Sequence, residues 1–235
     1  MALMPVEEAR TRILAHAKPL APENVPLAQA LGRALAKPLN AKRDQPPFNS
    51  SAMDGYALRS GDTMTEFKVI GTSAAGHAFN GKLKPGQAVR IFTGAPVPTT
   101  ADAVVIQENT SVTGKSVTIL QAARPGQNIR LRGLDFRKGE TLFPAAIRLN
   151  ARDIGLAAAM KCHIISVRRK PIVAVMATGD ELVLPGAKPR PDQIVSSNSN
   201  ALAALAESFG ATVINGGIVR DDLRATGSAI LKMAK

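Results

Sequence analysis

Residues Ile172-Val173-Ala174-Val175-Met176 form an unbroken apolar run, bounded by Lys170-Pro171 before it and Thr178-Gly179 after it. Such a run is expected of a parallel strand buried on both faces. Ser199 to Phe209 then reads as a helix ending at Gly210, with Leu202, Leu205 and Ala206 on one face. Thr212-Val213-Ile214 reads as a second strand, and Asp221 to Ala234 as a second helix with Asp221 or Asp222 as N-cap. Ala177 to Ser199 is a long proline-containing loop with a charged centre. The order β-loop-α-β-α begins a doubly wound sheet. Two strands and two helices cannot cover both faces of a parallel sheet, so residues 169–235 are expected to be the first part of a larger domain, in a chain cut short at its C-terminus.

The pattern upstream is different. Pro5 to Ala17 reads as a helix, with Pro5 in the first turn and Glu7 and Glu8 at the positive end of its dipole, and Lys18-Pro19 ends it. Val25 to Leu39 is a second short structured passage, interrupted by Gly32. Phe67–Gly71, Gln87–Phe92 and Ala103–Gln107 are short strand candidates separated by Gly and Pro, and Ser116–Leu120 reads as a hairpin return after Thr113-Gly114-Lys115. These place a β subdomain at about residues 45–140. Asn150 to Ala159 reads as a helix with Asn150 as N-cap, Ile164 to Val167 as a strand, and Arg168-Arg169-Lys170-Pro171 as a basic joint. The fold class is therefore α/β plus β. A helical/β region spans residues 1–168 with the β subdomain inserted, and the first part of a doubly wound domain occupies 169–235.

Of the 235 residues, 45% are hydrophobic and 3% aromatic, with no Trp, so the cores must be built from Ala, Val, Ile and Leu. No run of about 18 apolar residues exists to span a bilayer, and Met1 to Glu8 lacks a secretory pattern. The single cysteine, Cys162, forms no internal disulfide, and as a strand neighbour of His163 it would face the opposite side. A cytoplasmic protein is the simplest reading. The net charge is +12, and its excess lies before residue 169, where 22 basic residues oppose 12 acidic ones; after it 8 oppose 6. This balance attracts phosphorylated ligands or polyanions. Nucleic-acid binding is disfavoured, because the basic residues are scattered and the aromatics that stack bases are scarce.

Two acidic clusters follow the two strands of the α/β segment. Asp180 and Glu181 come after the first, and Asp221 and Asp222 after the second. Both loops leave the same edge of the sheet, where open α/β sheets bind ligands, and converging carboxylates there suit a hard cation such as Mg²⁺. The alternative is that Asp180 caps a turn and Asp221 caps a helix. In Pro46-Pro47-Phe48-Asn49-Ser50-Ser51-Ala52-Met53-Asp54-Gly55-Tyr56-Ala57-Leu58-Arg59, Asp54-Gly55 is a turn signal that would put the Asp54 carboxylate at the tip. Read from spacing alone, Asp54 either closes that turn or serves a site.

The stretch from Pro46 resembles the signature P-x-F-D-x-S-A-M-D-G-Y-A of the MoeA family, the molybdopterin molybdotransferases, to which the gephyrin E domain belongs. It departs from it at Asn49. The resemblance continues through Arg90-Ile91-Phe92-Thr93-Gly94-Ala95-Pro96-Val97-Pro98, Ala101–Val105 and Arg132-Gly133-Leu134-Asp135. It extends to Thr178-Gly179-Asp180-Glu181-Leu182, Ser197-Asn198-Ser199 and Gly217–Asp222.

The resemblance implies a molybdopterin-binding domain from residue 169 and an enzyme of molybdenum cofactor synthesis. Such an enzyme inserts molybdenum from molybdate into molybdopterin adenylate with release of AMP, and uses Mg²⁺. It implies catalytic roles for Asp54, Thr93, Asp135, Glu181 and Asp221, with Glu181 and Asp221 also holding the metal. Arg130, Thr178, Gly179 and Asp180 would bind substrate. It further implies a homodimer in which Asp54 of one chain meets Glu181 of the other, and contacts with the molybdopterin adenylyltransferase and molybdoenzyme maturation proteins. Molybdenum would be held by the dithiolene sulfurs of the pterin, so no protein Cys ligand is expected. Asn49 and Leu134 stand where the family has Asp and Glu. Two other readings remain, a scaffold module of the same fold and a basic nucleic-acid-binding protein.

Overall fold

The computed structural model describes residues 4–234; the first three residues of the Met1–Glu8 stretch and the last residue of the C-terminal segment lie outside them. The elements are α1 (Val6–Ala15), β1 (Pro22–Pro26), β2 (Leu39–Asn40), β3 (Ser50–Ser51), β4 (Gly55–Leu58), β5 (Glu66–Ser73) and β6 (Gln87–Ile91). Next come β7 (Ala103–Ile106), β8 (Thr110–Thr113), β9 (Ser116–Ile119), β10 (Ile129–Arg130), β11 (Thr141–Phe143), α2 (Ala151–Ala159) and β12 (Ile164–Arg168). The chain ends with β13 (Ile172–Thr178), β14 (Leu182–Val183), β15 (Ile194–Val195), α3 (Asn198–Ser208), β16 (Thr212–Val219) and α4 (Leu223–Met233). They gather into two compact units. One holds residues up to Leu39, Phe143–Gly155 and everything from His163; the other holds Asn40–Leu142 and Leu156–Cys162.

The second unit is built on a six-stranded sheet of order β7-β4-β6-β5-β9-β8, antiparallel except where β5 runs parallel to β6. All four residues of β4 are buried. Because side chains alternate along a strand, Tyr56 and Leu58 enter one core with Phe67, Ala88, Val105 and Val117, while Ala57 enters another with Ile91, Ala95 and Val104. Apart from Tyr56 and Phe67, aliphatic side chains fill both layers, as a composition poor in aromatics leads one to expect.

Gly55 corrects the reading of Asp54-Gly55 as a turn. Its φ is not positive; it opens β4, paired to Ile91 on one side and Ile106 on the other. Glycine is required there by proximity, because a Cβ would sit 1.9 Å from the Val105 carbonyl oxygen. The chain reverses one step earlier, over Ala52–Asp54, where the Ser51 hydroxyl donates to the Met53 carbonyl at 2.6 Å.

In the first unit, β1 and β12 pair antiparallel, and Leu35 bridges to Val167. Val25, Leu35, Leu149, Ile165 and Val167 are buried. The Val25–Leu39 passage is the end of β1, one 3-10 turn at Leu27–Gln29 and extended chain, with Gly32 at φ +73°. α2 starts with a reciprocal cap. The Asn150 side-chain oxygen accepts from the Arg152 and Asp153 N–H groups, and the Asp153 carboxylate accepts from the Asn150 N–H. Cys162 and His163 precede β12 rather than lying in it, so the strand-face expectation for them does not apply.

β13 and β16 pair parallel, from Ile172↔Thr212 to Thr178↔Val219. β16 runs five residues beyond Ile214, through a sequence that looks like a turn. The Asn215 side chain accepts from the Gly217 N–H at 2.9 Å, and the register shifts between Val175 and Ala177, so Asn215-Gly216-Gly217 is absorbed as a bulge. The Ala177–Ser199 loop also carries structure, since β14 and β15 pair within it. Asp222, not Asp221, caps α4 by accepting from the Ala225 N–H at 2.8 Å. Among the described residues after Arg168, Val175 is the one buried hydrophobic side chain, while Ile172, Leu202, Leu205, Leu223 and Leu231 are exposed.

Two outcomes follow from this packing. Gly55→Ala forces β4 and β7 apart and lowers stability by at least about 2 kcal/mol in urea unfolding; an unchanged midpoint would mean that the two strands separate freely. Hydrogen exchange is faster for the amides of β13 and β16 than for those of β4 and β6, because exposed strands open more readily. Equal protection would show the α/β segment to be covered in solution.

Candidate functional site

The segment Asn49–Asp54 is hydrogen-bonded along both edges. On one, Val97 N–H donates to Asn49, Ser51 N–H to Ala95 and Gly94 N–H to Ser51, at 2.8–2.9 Å. On the other, Ala52 N–H donates to Asn128, and β3 pairs with β10 so that Ser51 faces Ile129 and Ser50 faces Arg130. Thr93 and Arg130 are therefore delivered to either side of the segment that ends at Asp54.

Asp54 and Thr93 are brought together. One Asp54 carboxylate oxygen, Oδ1, accepts from the Thr93 N–H at 2.7 Å and from the Thr93 hydroxyl at 2.8 Å. These two bonds, with the Arg90 charge nearby, hold the Asp54 carboxyl below its ordinary value. The Asp54 Oδ2 takes no bond among the described residues. Arg90 was not singled out by the sequence. It donates to the Gly55 carbonyl and the Gln107 side chain, and its guanidinium stacks 5.1 Å from the Tyr56 ring centre and 4.8 Å from that of Phe92. The signal that could have found it is a lone cation in a strand ending at an aromatic residue.

Arg130 and Asp135 pair with each other at 3.0 Å, both partly exposed. Arg130 is thus already charge-compensated in the free chain. Next to this pair, Asp44 accepts from the Arg132 guanidinium at 2.6 Å and the Lys138 N–H at 2.7 Å, which hold its carboxyl low. Asn49 accepts the Arg132 N–H through its side-chain oxygen at 2.9 Å. An amide supplies that acceptor as well as a carboxylate would, so the departure at Asn49 leaves the loop anchored. Leu134 is 60% exposed, so the departure there falls on the surface.

In the other unit, Thr178 and Val219 are register partners at the carboxyl ends of β13 and β16. Gly179, Asp180 and Glu181 follow the first, and Asp221 the second, so both loops leave the same edge. Gly179 has φ +151°, and a Cβ on it would lie 2.6 Å from the Glu181 carboxylate. Only glycine permits that carboxylate to fold back over the strand end. Among the described residues the side chains of Thr178, Asp180, Glu181 and Asp221 make no hydrogen bond or ion pair, and no three His, Cys, Asp or Glu side chains gather as a metal group. A cavity of about 250 Å³ lies beside this edge, lined by Thr178, the buried Ser196, and Ser197, Asn198 and Ser199 at the start of α3. Hydroxyls and helix N–H groups there suit an anionic oxygen. Glu181 and Asp221 offer hard oxygen donors of the kind Mg²⁺ takes. Cys162 is buried and its thiol is pushed up by burial, which removes it as a nucleophile.

Thr93→Val removes the hydroxyl bond and raises the Asp54 pKa toward the ordinary 3.8 in an NMR titration. The sign follows from a folded value below the unfolded one. The Asp54 contribution to stability is complete above the unfolded value and disappears as the pH falls through the folded one. An unmoved titration would assign the shift to the backbone and Arg90 alone.

Comparison with known proteins places these residues in a family. Residues 4–160 match the MoeA N-terminal region (domain I and II), and residues 174–235 match a probable molybdopterin binding domain. The chain is similar to a molybdopterin molybdenumtransferase of Nostoc sp., 43% identical over 217 residues, which covers 89% of this chain and 50% of that protein. It is 39% identical over 220 residues to molybdopterin molybdenumtransferase 2 of Mycobacterium tuberculosis, covering 91% of this chain and 54% of that one. A solved structure described as a molybdopterin biosynthesis moeA protein, from Pyrococcus horikoshii OT3, superposes with TM-score 0.89 at 32% identity, over 99% of this chain and 64% of that one. The chain spans about half the length of the curated relatives it matches. With the first match alone covering 157 of its 235 residues, the chain belongs to the MoeA family.

Proposed function

We propose that the protein is a molybdopterin molybdotransferase that takes molybdopterin adenylate and molybdate, releases AMP and yields molybdenum cofactor. In this reading residues 1–168 are the N-terminal region and residues 169–235 contribute to binding molybdopterin. The observation that carries it is the pair of loops at the carboxyl ends of β13 and β16, which present Glu181 and Asp221 with no partner among the described residues. In an open α/β sheet that edge is where ligands sit.

Glu181 and Asp221 are the residues that would hold Mg²⁺, which when bound supplies positive charge to the phosphate of the adenylate. Thr178, Gly179 and Asp180 line the same edge and orient the substrate, with the Ser196–Ser199 hydroxyls and N–H groups receiving its anionic oxygens. In the β unit, Thr93 fixes one oxygen of Asp54 and keeps the group ionised, which leaves Oδ2 to receive a proton or a donor from the substrate. Arg130 is held by Asp135 and turns to an incoming oxyanion, molybdate or phosphate, by exchanging one carboxylate for another anion. The reading includes a homodimer and hand-over from the adenylyltransferase to molybdoenzyme maturation proteins. Among the described residues no helix is long and apolar enough to cross a membrane.

The test separates charge from capping in adjacent residues. AMP release from molybdopterin adenylate with molybdate is titrated with Mg²⁺ in Asp221→Asn and Asp222→Ala. Asp222→Ala loses the cap of α4, about 1 kcal/mol of stability, and retains its Mg²⁺ dependence. Asp221→Asn melts as the parent does and loses Mg²⁺-dependent turnover. Parental turnover and Mg²⁺ dependence in Asp221→Asn would remove Asp221 from the site.

A further inference from the structure

Six cations line one cavity of the first unit: Lys18, Arg33, Arg148, Arg168, Arg169 and Lys170. They come from four separate stretches of chain, so the fold, and not a local run, collects them. The cavity is about 470 Å³, in the usual range for small-molecule sites. No Asp or Glu lines it. Glu23 pairs with Arg33, which is 9% exposed, and the other five cations have no ion pair among the described residues.

Three of the guanidiniums are fixed in place by backbone carbonyls. Arg33 donates to the Arg168 carbonyl at 2.7 Å, Arg148 to Gly32 and Ser208 at 3.0 Å each, and Arg168 to Leu20 at 3.1 Å. Each such bond engages one or two of the five N–H groups of a guanidinium and orients the rest. The side chains of Lys18, Arg169 and Lys170 make no hydrogen bond or ion pair among the described residues. Holding like charges together around a concave wall disfavours the empty cavity and concentrates anions in it.

The lining is not uniformly polar. Leu20, Pro19, Pro171 and Phe209 are among its apolar residues, and Phe209, 70% exposed, offers a flat ring to a ligand. We infer that this cavity binds a small organic phosphate, with the phosphate on the arginines and lysines and a planar ring on Phe209. A bare oxyanion leaves the apolar wall unused. A nucleic-acid strand needs several stacking side chains and a continuous groove, and this cavity has one such side chain. The site is separate from the Asp54 and Glu181 residues of the proposed reaction and does not depend on that reading.

AMP, adenosine and inorganic pyrophosphate serve as probes in calorimetric titrations of the protein. AMP is expected to bind more tightly than adenosine, which lacks the phosphate, while pyrophosphate reports on the cations alone. Arg169→Gln with Lys170→Gln weakens AMP and pyrophosphate by about tenfold or more, the loss of a charge-assisted hydrogen bond. Neither side chain makes a hydrogen bond or ion pair among the described residues, so the melting temperature does not fall below the parent value. Phe209→Ala weakens AMP and leaves pyrophosphate unchanged. The titrations are run without added divalent cation, which a phosphate site at Glu181 and Asp221 would need. The inference is overturned if AMP binds no better than adenosine, if the double variant binds AMP as the parent does, or if Phe209→Ala leaves AMP binding unchanged. It is also overturned if a single-stranded oligonucleotide displaces AMP with a steep salt dependence, which would make the patch a nucleic-acid surface.

Discussion

The backbone pairing of Asn49–Ala52 on both edges is the constraint on which the β-unit site depends. Each edge bond fixes a neighbouring loop by its main chain, so the positions of Thr93 and Arg130 do not depend on the side chains they present. Asp54 follows as the second residue past this doubly paired segment, after Met53. Gly55 follows Asp54 because β4 presses against the Val105 carbonyl, where no Cβ fits. The order of residues in this stretch is thus a record of distances: paired backbone, a hydroxyl-held bend, a carboxylate, and then a residue with no side chain. Thr93 adds the last restraint, taking one carboxylate oxygen with both its N–H and its hydroxyl and leaving the other available.

Much of this fold was legible in the sequence where periodicity or punctuation was strong. The apolar run at Ile172–Met176 gave a parallel strand, Asn150 as N-cap gave α2, and Thr113-Gly114-Lys115 gave the β8–β9 hairpin. What was missed shares a cause. Gly55 looks like a turn residue because glycine in a turn and glycine at a close approach are written with the same letter. Asn215-Gly216-Gly217 looks like a break because a bulge inside a parallel strand needs the same residues as a loop. Asp221 and Asp222 were equivalent as caps until the Ala225 N–H distinguished them. Asp180, Glu181 and Asp221 were legible from their place after the two strands, whereas Thr93, Arg130 and Asp135 were legible only through resemblance, since Thr93 meets Asp54 across 39 positions of chain and Arg130 pairs with Ser50 from still farther away, which no local spacing encodes.

The charge of the molecule has two kinds of local use. Three arginines of the β unit are matched: Arg130 with Asp135, Arg132 with Asp44, and Arg90 with carbonyl oxygens and two aromatic faces. Exposed pairs of this kind contribute little to stability, so their value is in orientation, holding carboxylates ionised and loops in register. In the first unit the cations around the basic cavity are mostly unmatched. An excess of +12 spread evenly would only keep the protein soluble, whereas one drawn into a concavity creates a field that selects for phosphate.

The two carboxylate sets differ in the same way. Asp54 and Asp44 are held low by hydrogen bonds made within the chain, so they remain charged whether or not a ligand is present. Glu181 and Asp221 take no such bonds among the described residues. A carboxylate that already accepts two donors has given up part of its capacity to hold a cation, while one that accepts none retains it. The chain therefore separates fixed charge, which orients, from unsatisfied charge, which is open to a ligand. Asp221 and Asp222 show that separation across a single peptide bond, because the helix takes one carboxylate as its cap and leaves its neighbour exposed at the strand end, available to a cation.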